Sequence, residues 1–390
     1  MPGDVPRSRK WLSDSVVPKS GTSFLPPIRF CTIEQLPEAI PDLGISAVTP
    51  DESLDPTTAA AQCRQLFDEF RTELAKKLVL PPEIVEPSLI GFLAGGHLLL
   101  EGHPGLGKRS LAGAMAQLAG LSFSAVTCTP DMEPADLTAS EQLRDNRPIG
   151  KQGYQSRPGP LSANVAYVED LHLAPPRSRA PLVDSMRRPQ IGHAGDAWDL
   201  SSPFALIASI APELDDMELA LDASVTDRFL LQVSFAYPSE GDEWEIGRRA
   251  GSTAGPPQEP LMSARQLAEL QAAVAHVEMP DEVLGYAWAL ARATRPGNEL
   301  APDFVETWIH LGISPQGLIA LVSAAKARAL LRGRDRCTRR DVHEVAPSVF
   351  QHRLRGNEEA RAAGLTVDRL IRMLLERISL DGDYRPEQAL

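Results

Sequence analysis

The run GHPGLGKRS at residues 102–110 constrains the fold of this chain more than any other segment. Residues 97–100 before it are mostly apolar, as in a buried parallel strand, and residues 111–121 after it have the apolar spacing of a helix. A strand, a glycine-rich turn and a helix in this order direct backbone N–H groups and a helix N-terminus at an anion. The segment therefore predicts a phosphate-binding loop in an α/β domain.

The loop itself matches the pattern G-x-x-x-x-G-K-[ST] from Gly102 to Lys108 and departs from it at Arg109. In that pattern the lysine ammonium reaches the distal phosphates, and the final Ser or Thr hydroxyl holds Mg²⁺. Ser110 does not readily replace that hydroxyl, because one residue along a helix is a rotation of about 100°. The candidate nucleotide-binding residues of the loop are Gly102, His103, Pro104, Gly105, Leu106, Gly107, Lys108, Arg109 and Ser110.

A second short strand, VAYV at residues 165–168, ends in Glu169 and Asp170. In nucleotide hydrolysis of this type, the first acid helps to hold the metal and its water shell, and the second orients the attacking water. Glu169 is therefore a candidate metal residue, and Glu169 and Asp170 are the candidate catalytic carboxylates. Their order is the reverse of the usual Asp then Glu. The exchange changes the reach of each carboxylate by roughly 1.5 Å, and a misplacement of about 1 Å can cost about 10²-fold in rate.

Composition and charge exclude several classes of protein. A net charge of −13 argues against a protein that coats nucleic acid or an anionic membrane. The cysteines are far apart and form no C-x-x-C pair, so neither a zinc site nor a disulfide framework is expected. The longest apolar stretch, residues 89–100, is too short to span a bilayer, and the N-terminus lacks the apolar core of a signal peptide. We expect a soluble cytoplasmic protein with no membrane span and no nucleic-acid partner.

The sequence divides into two structured parts with a segment at each end. Residues 1–55 are rich in Pro and Ser and begin with basic residues, which predicts a flexible segment that is either a docking arm or a solvated tail. Residues 56–238 alternate strands and helices, which predicts a mostly parallel sheet covered by helices on both faces. Residues 239–380 show helical patterns alone, with about four amphipathic helices after a loop at 251–260, and residues 381–390 form a tail.

Several further segments resemble the MoxR-type AAA+ ATPases, a family related to the ATPase subunit of magnesium chelatase, over residues 60–378. They are FSAVTCTPDMEPADLT at 123–138, RPGPL at 157–161 beside the family's hairpin insertion, APPR at 174–177, DRFLL at 227–231 and GISPQ at 312–316. The resemblance implies a P-loop AAA+ domain followed by an all-α lid, with ATP or ADP as its nucleotide. It also implies a ring, commonly hexameric, that works with a von Willebrand factor A domain protein in metal insertion or complex maturation.

The resemblance extends to Arg228, which stands at the position of the family's arginine finger. Such an arginine projects into the nucleotide site of the neighbouring subunit, so Arg228 is a candidate catalytic residue in trans. The alternative is a structural salt bridge between Arg228 and Asp227 or another acid.

The departures from the family concern groups that position the metal, the attacking water or the γ-phosphate. Besides Arg109 and the reversed acidic pair, Ala211 in the run ASIAP stands where the family's sensor 1 has Asn. Gln316, a candidate nucleotide-binding residue, replaces the sensor 2 Arg, and His172 replaces the Asn after the acidic pair. Because hydrolysis depends on positioning and electrostatics, the loss of these groups together is expected to remove several kcal/mol of transition-state stabilisation.

Two hypotheses are open at this point. One is a nucleotide-binding, chaperone-like subunit of a homo- or hetero-oligomeric assembly, with weak or no hydrolysis of its own; the other is an active ATPase that converts ATP to ADP and phosphate. The role of Mg²⁺ is open as well, because Arg109 either contacts phosphate in place of the metal or instead points to solvent or pairs with Glu169. The residue pattern favours the first hypothesis.

Overall fold

The structure is a computed structural model that describes residues 56–143, 154–188, 190–193, 196–211, 221–250 and 259–382. The segment predicted to be flexible, residues 1–55, and residues 383–390 of the predicted tail lie outside the described residues. Within the described ranges, no helix combines the length and the apolar character needed to cross a membrane.

The α/β part is built from alternating strands and helices, with two β-hairpins inserted between them. Its elements in chain order are α1 (Pro56–Lys77), α2 (Pro82–Leu93), β1 (Leu98–Gly102), α3 (Lys108–Leu118), β2 (Phe123–Thr127), α4 (Pro134–Thr138), β3 (Ala139–Leu143), β4 (Tyr154–Pro158), β5 (Val165–Glu169), α5 (Pro176–Ser185), β6 (Gln190–His193), β7 (Asp196–Asp199), β8 (Ala205–Ile210), α6 (Ala223–Thr226) and β9 (Leu231–Phe235).

One parallel sheet holds five of these strands in the order β2-β5-β8-β1-β9. β1 lies between β8 and β9, with Leu98 in register with both Ile207 and Leu231. Alternate side chains of β1 point to opposite faces of the sheet. Leu98 and Leu100 belong to the apolar core that includes α1, α2 and α3, whereas Leu99 belongs to the core that includes α5. The central strands are apolar because both faces of the sheet are covered. The predicted α/β fold is confirmed.

Two antiparallel hairpins interrupt the alternation, one formed by β3 and β4 and the other by β6 and β7. The first ends at the RPGP run, where the resemblance implies a hairpin insertion. The sequence does not predict the second, which lies between α5 and β8, because strands of four residues are too short to show a clear alternation.

The C-terminal part is almost wholly helical. Its elements are α7 (Glu240–Ala250), α8 (Ala264–His276), α9 (Asp281–Ala293), α10 (Asp303–Trp308), β10 (Ile309–Leu311), α11 (Pro315–Leu331), α12 (Arg339–Phe350), β11 (Arg355–Gly356), α13 (Glu358–Ala362) and α14 (Val367–Arg377). The expectation of about four helices after the loop at 251–260 is wrong, because seven follow it in the described chain and β10 pairs with β11. Helices as short as α10 and α13 show no helical periodicity in the sequence.

Candidate nucleotide-binding site

The loop predicted to hold phosphate connects the end of β1 to the start of α3, at the carboxyl edge of the sheet. Gly105 and Gly107 have φ angles of 85° and 86°, a left-handed conformation that favours glycine. The loop turns tightly in consequence, and the N–H groups of the first turn of α3 have no partner within the helix. These residues fit a phosphate group bound at a helix N-terminus.

Lys108 is the cation of the loop and is 7% exposed. Its Nζ donates to the backbone oxygens of Gly102 at 2.5 Å and His103 at 2.7 Å. Burial lowers the pKa of the Lys108 ammonium group, and the carboxylates of Asp170 and Glu169 oppose that lowering. β1 and β5 both pair in parallel with β8, so the loop that follows β1 and the acidic pair that follows β5 lie at the same edge of the sheet.

Glu169 and Asp170 lie at the carboxyl end of β5 in two different settings. Thr127 Oγ1 on β2 donates to Glu169 Oε2 at 3.2 Å. Asp170 has φ 54° and ψ 48°, and its N–H donates at 3.1 Å to the Oγ of Ser209, a fully buried residue of β8. Within the described residues, no three His, Cys, Asp or Glu side chains cluster as ligands for a metal ion.

Arg109 and Ser110 are both exposed in the first turn of α3. In the part of the chain that the structure describes, no carboxylate pairs with Arg109, so the alternative of a pair with Glu169 is not observed. Burial raises the pKa of Tyr167 on β5 to about 12, and the positive charge of Arg109 opposes this rise. Arg109 thus has an exposed side chain in the first turn of α3, and no ion pair holds it among the described residues.

The other altered residues have distinct surroundings. Ala211 directly follows β8, and its methyl group offers no hydrogen bond to a γ-phosphate. His172 is buried in the turn after Asp170; burial lowers its pKa, and its Nδ1 has no hydrogen-bond partner among the described residues. Gln316 is half-buried in the first turn of α11, and no hydrogen bond joins its side chain to the loop.

Arg228 lies in the turn between α6 and β9. The neighbouring Asp227 is engaged elsewhere: its Oδ1 accepts from Arg353 Nε at 2.7 Å, and its Oδ2 accepts from Ser314 Oγ at 3.0 Å. No hydrogen bond or ion pair joins the half-buried Arg228 side chain to any residue described. A structural salt bridge between Arg228 and Asp227 is thus not observed.

Sequence reasoning missed two contacts in this region. The ring of His103 stacks on that of Tyr237, which follows β9; the ring centroids are 5.5 Å apart and the planes meet at 26°. The only sequence signal for it is a Tyr-Pro pair directly after the last strand of the sheet. The bond between Arg353 and Asp227 has no local signal, because 126 residues separate the two.

Comparisons with known proteins agree with this architecture. The ATPase family associated with various cellular activities (AAA) matches residues 97–231, and the AAA lid domain matches residues 304–373. A crystal structure of a protein from Cytophaga hutchinsonii, assigned as an ATPase, superposes with a TM-score of 0.76 at 26% identity and covers 82% of this chain and 96% of that chain. The fold and the loop therefore define an AAA nucleotide-binding domain followed by a helical lid.

Three relatives are similar to this chain over most of its length, and two of them carry the name of one family within this class. Chaperone MoxR1 from Mycobacterium tuberculosis is 31% identical over 309 residues, which is 79% of this chain and 80% of MoxR1. Protein MoxR from Methylorubrum extorquens is 27% identical over 81% of this chain and 95% of its own length, and YeaC from Bacillus subtilis is 28% identical over 75% and 88%. The chain belongs to the MoxR family of AAA+ ATPases. Membership implies that it binds a nucleotide.

Proposed function

We propose that this protein binds ATP or ADP in the loop at residues 102–110 and serves as a ring subunit with weak or no hydrolysis of its own. The observation that carries the proposal is the exposed Arg109, at the position where a hydroxyl would hold Mg²⁺, in an otherwise intact phosphate loop. A guanidinium has five N–H donors and no acceptor, so it cannot ligate a cation. Mg²⁺ therefore does not fit this position.

The groups that remain suit the binding of a nucleotide better than its hydrolysis. The positive-φ glycines, the α3 N-terminus and Lys108 supply N–H donors and positive charge for the phosphates. Arg109 adds a permanent cation whose planar group can bind a phosphate through two hydrogen bonds. Hydrolysis also needs an aligned water and a stabilised γ-phosphate. The reversed acidic pair and Ala211 weaken both requirements.

Arg228 gives such a subunit a function within a ring. Asp227 is bonded to Arg353 and Ser314, so the Arg228 guanidinium keeps its capacity to contact another subunit. A subunit that retains this arginine while its own hydrolytic groups are altered suits a hetero-oligomer, in which Arg228 completes the nucleotide site of an active neighbour. A homo-oligomeric ring is the alternative assembly.

The relatives extend the proposal to the assembly as a whole. One of them is named a chaperone, and we propose a chaperone-like role for this ring together with a protein that bears a von Willebrand factor A domain. We place the assembly in the cytoplasm, because the cysteines of the described part are buried free thiols, which suits a reducing compartment.

Active hydrolysis is the second candidate function, and one observation favours it. Lys108 and the carboxylates of Glu169 and Asp170 still lie at the same edge of the sheet, because β1 and β5 both pair in parallel with β8. Both acids favour the charged form of the lysine. If the protein is an active ATPase, the ring converts ATP to ADP and phosphate and uses the free energy for metal insertion or the maturation of protein complexes. A turnover measurement separates the two functions.

A titration with fluorescently labelled nucleotide tests the role of Arg109. The full-length protein should bind with equal affinity in Mg²⁺ and in excess chelator, because Arg109 supplies the charge that the metal would supply. Arg109→Ala should weaken binding by about 10-fold or more in both buffers, because a charge-assisted hydrogen bond is lost. Arg372→Ala, which removes an exposed arginine of α14, should bind as the parent does. Strict dependence on Mg²⁺, or no binding in either buffer, would overturn the proposal.

A further inference from the structure

We propose that Tyr237, supported from behind by His103, is the stacking surface for the nucleobase of the bound nucleotide. This inference rests on the proposed function, because it names the base subsite of the same nucleotide site. The observation that carries it is the ring pair beside the phosphate loop, with centroids 5.5 Å apart and planes at 26°. Tyr237 is nevertheless 73% exposed. One face of its ring packs on His103, and the other is open to a planar ligand.

The chain holds Tyr237 beside the loop for local reasons. Gly102 pairs with Phe235 at the ends of β1 and β9, and a Cβ added at Gly102 would lie only 2.7 Å from the Phe235 Cβ. The two backbones are therefore in close contact where the loop begins. Pro238 then confines Tyr237 to an extended backbone, and Ser239 caps the first turn of α7. The ring is thus placed by a short segment that is anchored at both ends.

The order of the strands gives the direction of the nucleotide. Under the proposed function, Glu169 and Asp170 mark the γ-phosphate end of the site, because they are the candidate carboxylates for the metal and the attacking water. The two acids follow β5, which is separated from β1 by β8. Tyr237 follows β9, which lies on the opposite side of β1. The base and the γ-phosphate are opposite ends of an extended nucleotide. A nucleotide whose γ-phosphate points toward β5 therefore places its base on the β9 side, where the exposed ring lies.

Trp244 on α7 offers a comparison for Tyr237. It is 78% exposed, and no aromatic ring stacks on it in the part of the chain that the structure describes. It also belongs to a helix rather than to the edge of the sheet where the loop lies. Trp244 is therefore a matched control: a large exposed aromatic residue of the same region without the position or the ring support of Tyr237.

Removal of a stacking ring should weaken the binding of a ligand that carries a base and spare the binding of phosphates alone. An aromatic ring stacks on any base through its π-face, and its removal by alanine weakens binding by about 5- to 150-fold. The contacts of the loop with the phosphates do not depend on that ring. Loss of the ring should therefore change the ratio of two affinities of the protein, one for ATP and one for inorganic tripolyphosphate, which has phosphates and no base.

The test measures both affinities by calorimetry on the full-length protein and three variants. Tyr237→Ala should weaken the binding of ATP by about 5-fold or more and leave that of tripolyphosphate unchanged. Tyr237→Phe keeps the π-face and should bind both ligands as the parent does, and so should Trp244→Ala. Unchanged affinity for tripolyphosphate also shows that Tyr237→Ala is folded.

Two results would overturn the inference while the proposed function stands. They are an equal loss of both affinities in Tyr237→Ala, and unchanged affinities for both ligands in that variant. An altered oligomeric state of Tyr237→Ala with an unchanged ratio of affinities would assign the ring to a subunit contact and would also overturn it. Failure of the parent protein to bind either ligand has a separate meaning, because it refutes the proposed function on which the inference rests.

Discussion

His97 lies just before β1, and its two ring nitrogens connect three elements of the sheet domain. Its Nδ1 accepts from the Leu206 N–H on β8 at 3.0 Å, so the proton lies on Nε2, which donates to the Met186 oxygen at the end of α5 at 3.3 Å. The side chain is almost fully buried. Burial lowers its pKa from 6.5 to about 4, and the bond to Met186 offsets only part of this effect.

The buried histidines make the fold sensitive to acid. Between pH 6.5 and about 4, the unfolded chain binds a proton at His97 and the folded chain does not, so stability falls as the pH drops through this range. The full effect of His97 is about 3 kcal/mol. His352, also buried and with its pKa lowered, acts in the same direction. Chemical denaturation of the parent and of His97→Gln above pH 6.5 and near pH 4 measures the effect. The variant should lose less stability on acidification; an identical loss in both proteins would contradict the assignment.

The backbone conformation of Asp170 offers a local explanation for the order Glu then Asp at residues 169 and 170. It is the one non-glycine residue with a positive φ in the described part of the chain. Asp adopts this conformation more readily than most residues, because its short side chain can bond to the nearby backbone. Ser209 also holds the Asp170 N–H in place. The order Glu then Asp therefore suits the backbone of this turn, although it changes the reach of both carboxylates.

At the scale of whole elements, hydrogen bonds from Arg353 join the lid to the sheet domain at the turn after α6. The guanidinium of Arg353, which follows α12, donates to Asp227 Oδ1 at 2.7 Å and to the backbone oxygens of Phe229 at 2.6 Å and Leu230 at 3.1 Å. Arg353 is 6% exposed, so these bonds are made out of contact with water. They fix the turn that carries the candidate arginine finger.

Loss of the Arg353 hydrogen bonds should strongly destabilise the protein. Arg353→Met removes the cationic partner of the Asp227 carboxylate and the N–H donors to the Phe229 and Leu230 oxygens, and we expect a loss of about 3–5 kcal/mol in the free energy of unfolding. Arg372→Ala, which breaks the exposed pair with Asp368, should cost less than about 1 kcal/mol. Chemical denaturation of both variants provides the comparison. Similar small losses in both would mean that apolar packing, rather than Arg353, holds the lid.

At the scale of the whole molecule, the predictable features are those encoded within one short segment. The loop at residues 102–110 and the alternation of strands and helices predict the sheet domain, and the helical patterns after residue 238 predict the lid that follows it. The β6–β7 hairpin and the shortest lid helices have too few residues to show a period. The contacts His103–Tyr237 and Asp227–Arg353 join distant segments: the pairing of β1 with β9 brings the first pair together, and the packing of α12 against β9 brings the second pair together. No local pattern carries that information.

The steady-state rate of ATP hydrolysis by the purified full-length protein tests the central claim, nucleotide binding with little or no turnover, most directly. We expect a rate near background, well below about 1 s⁻¹. The variant that combines Arg109→Thr, Glu169→Asp, Asp170→Glu and Ala211→Asn should regain hydrolysis, whereas Arg109→Thr alone should not, because the other positioning groups are still altered. A rate of about 1 s⁻¹ in the parent protein that is abolished by Lys108→Ala would contradict the claim.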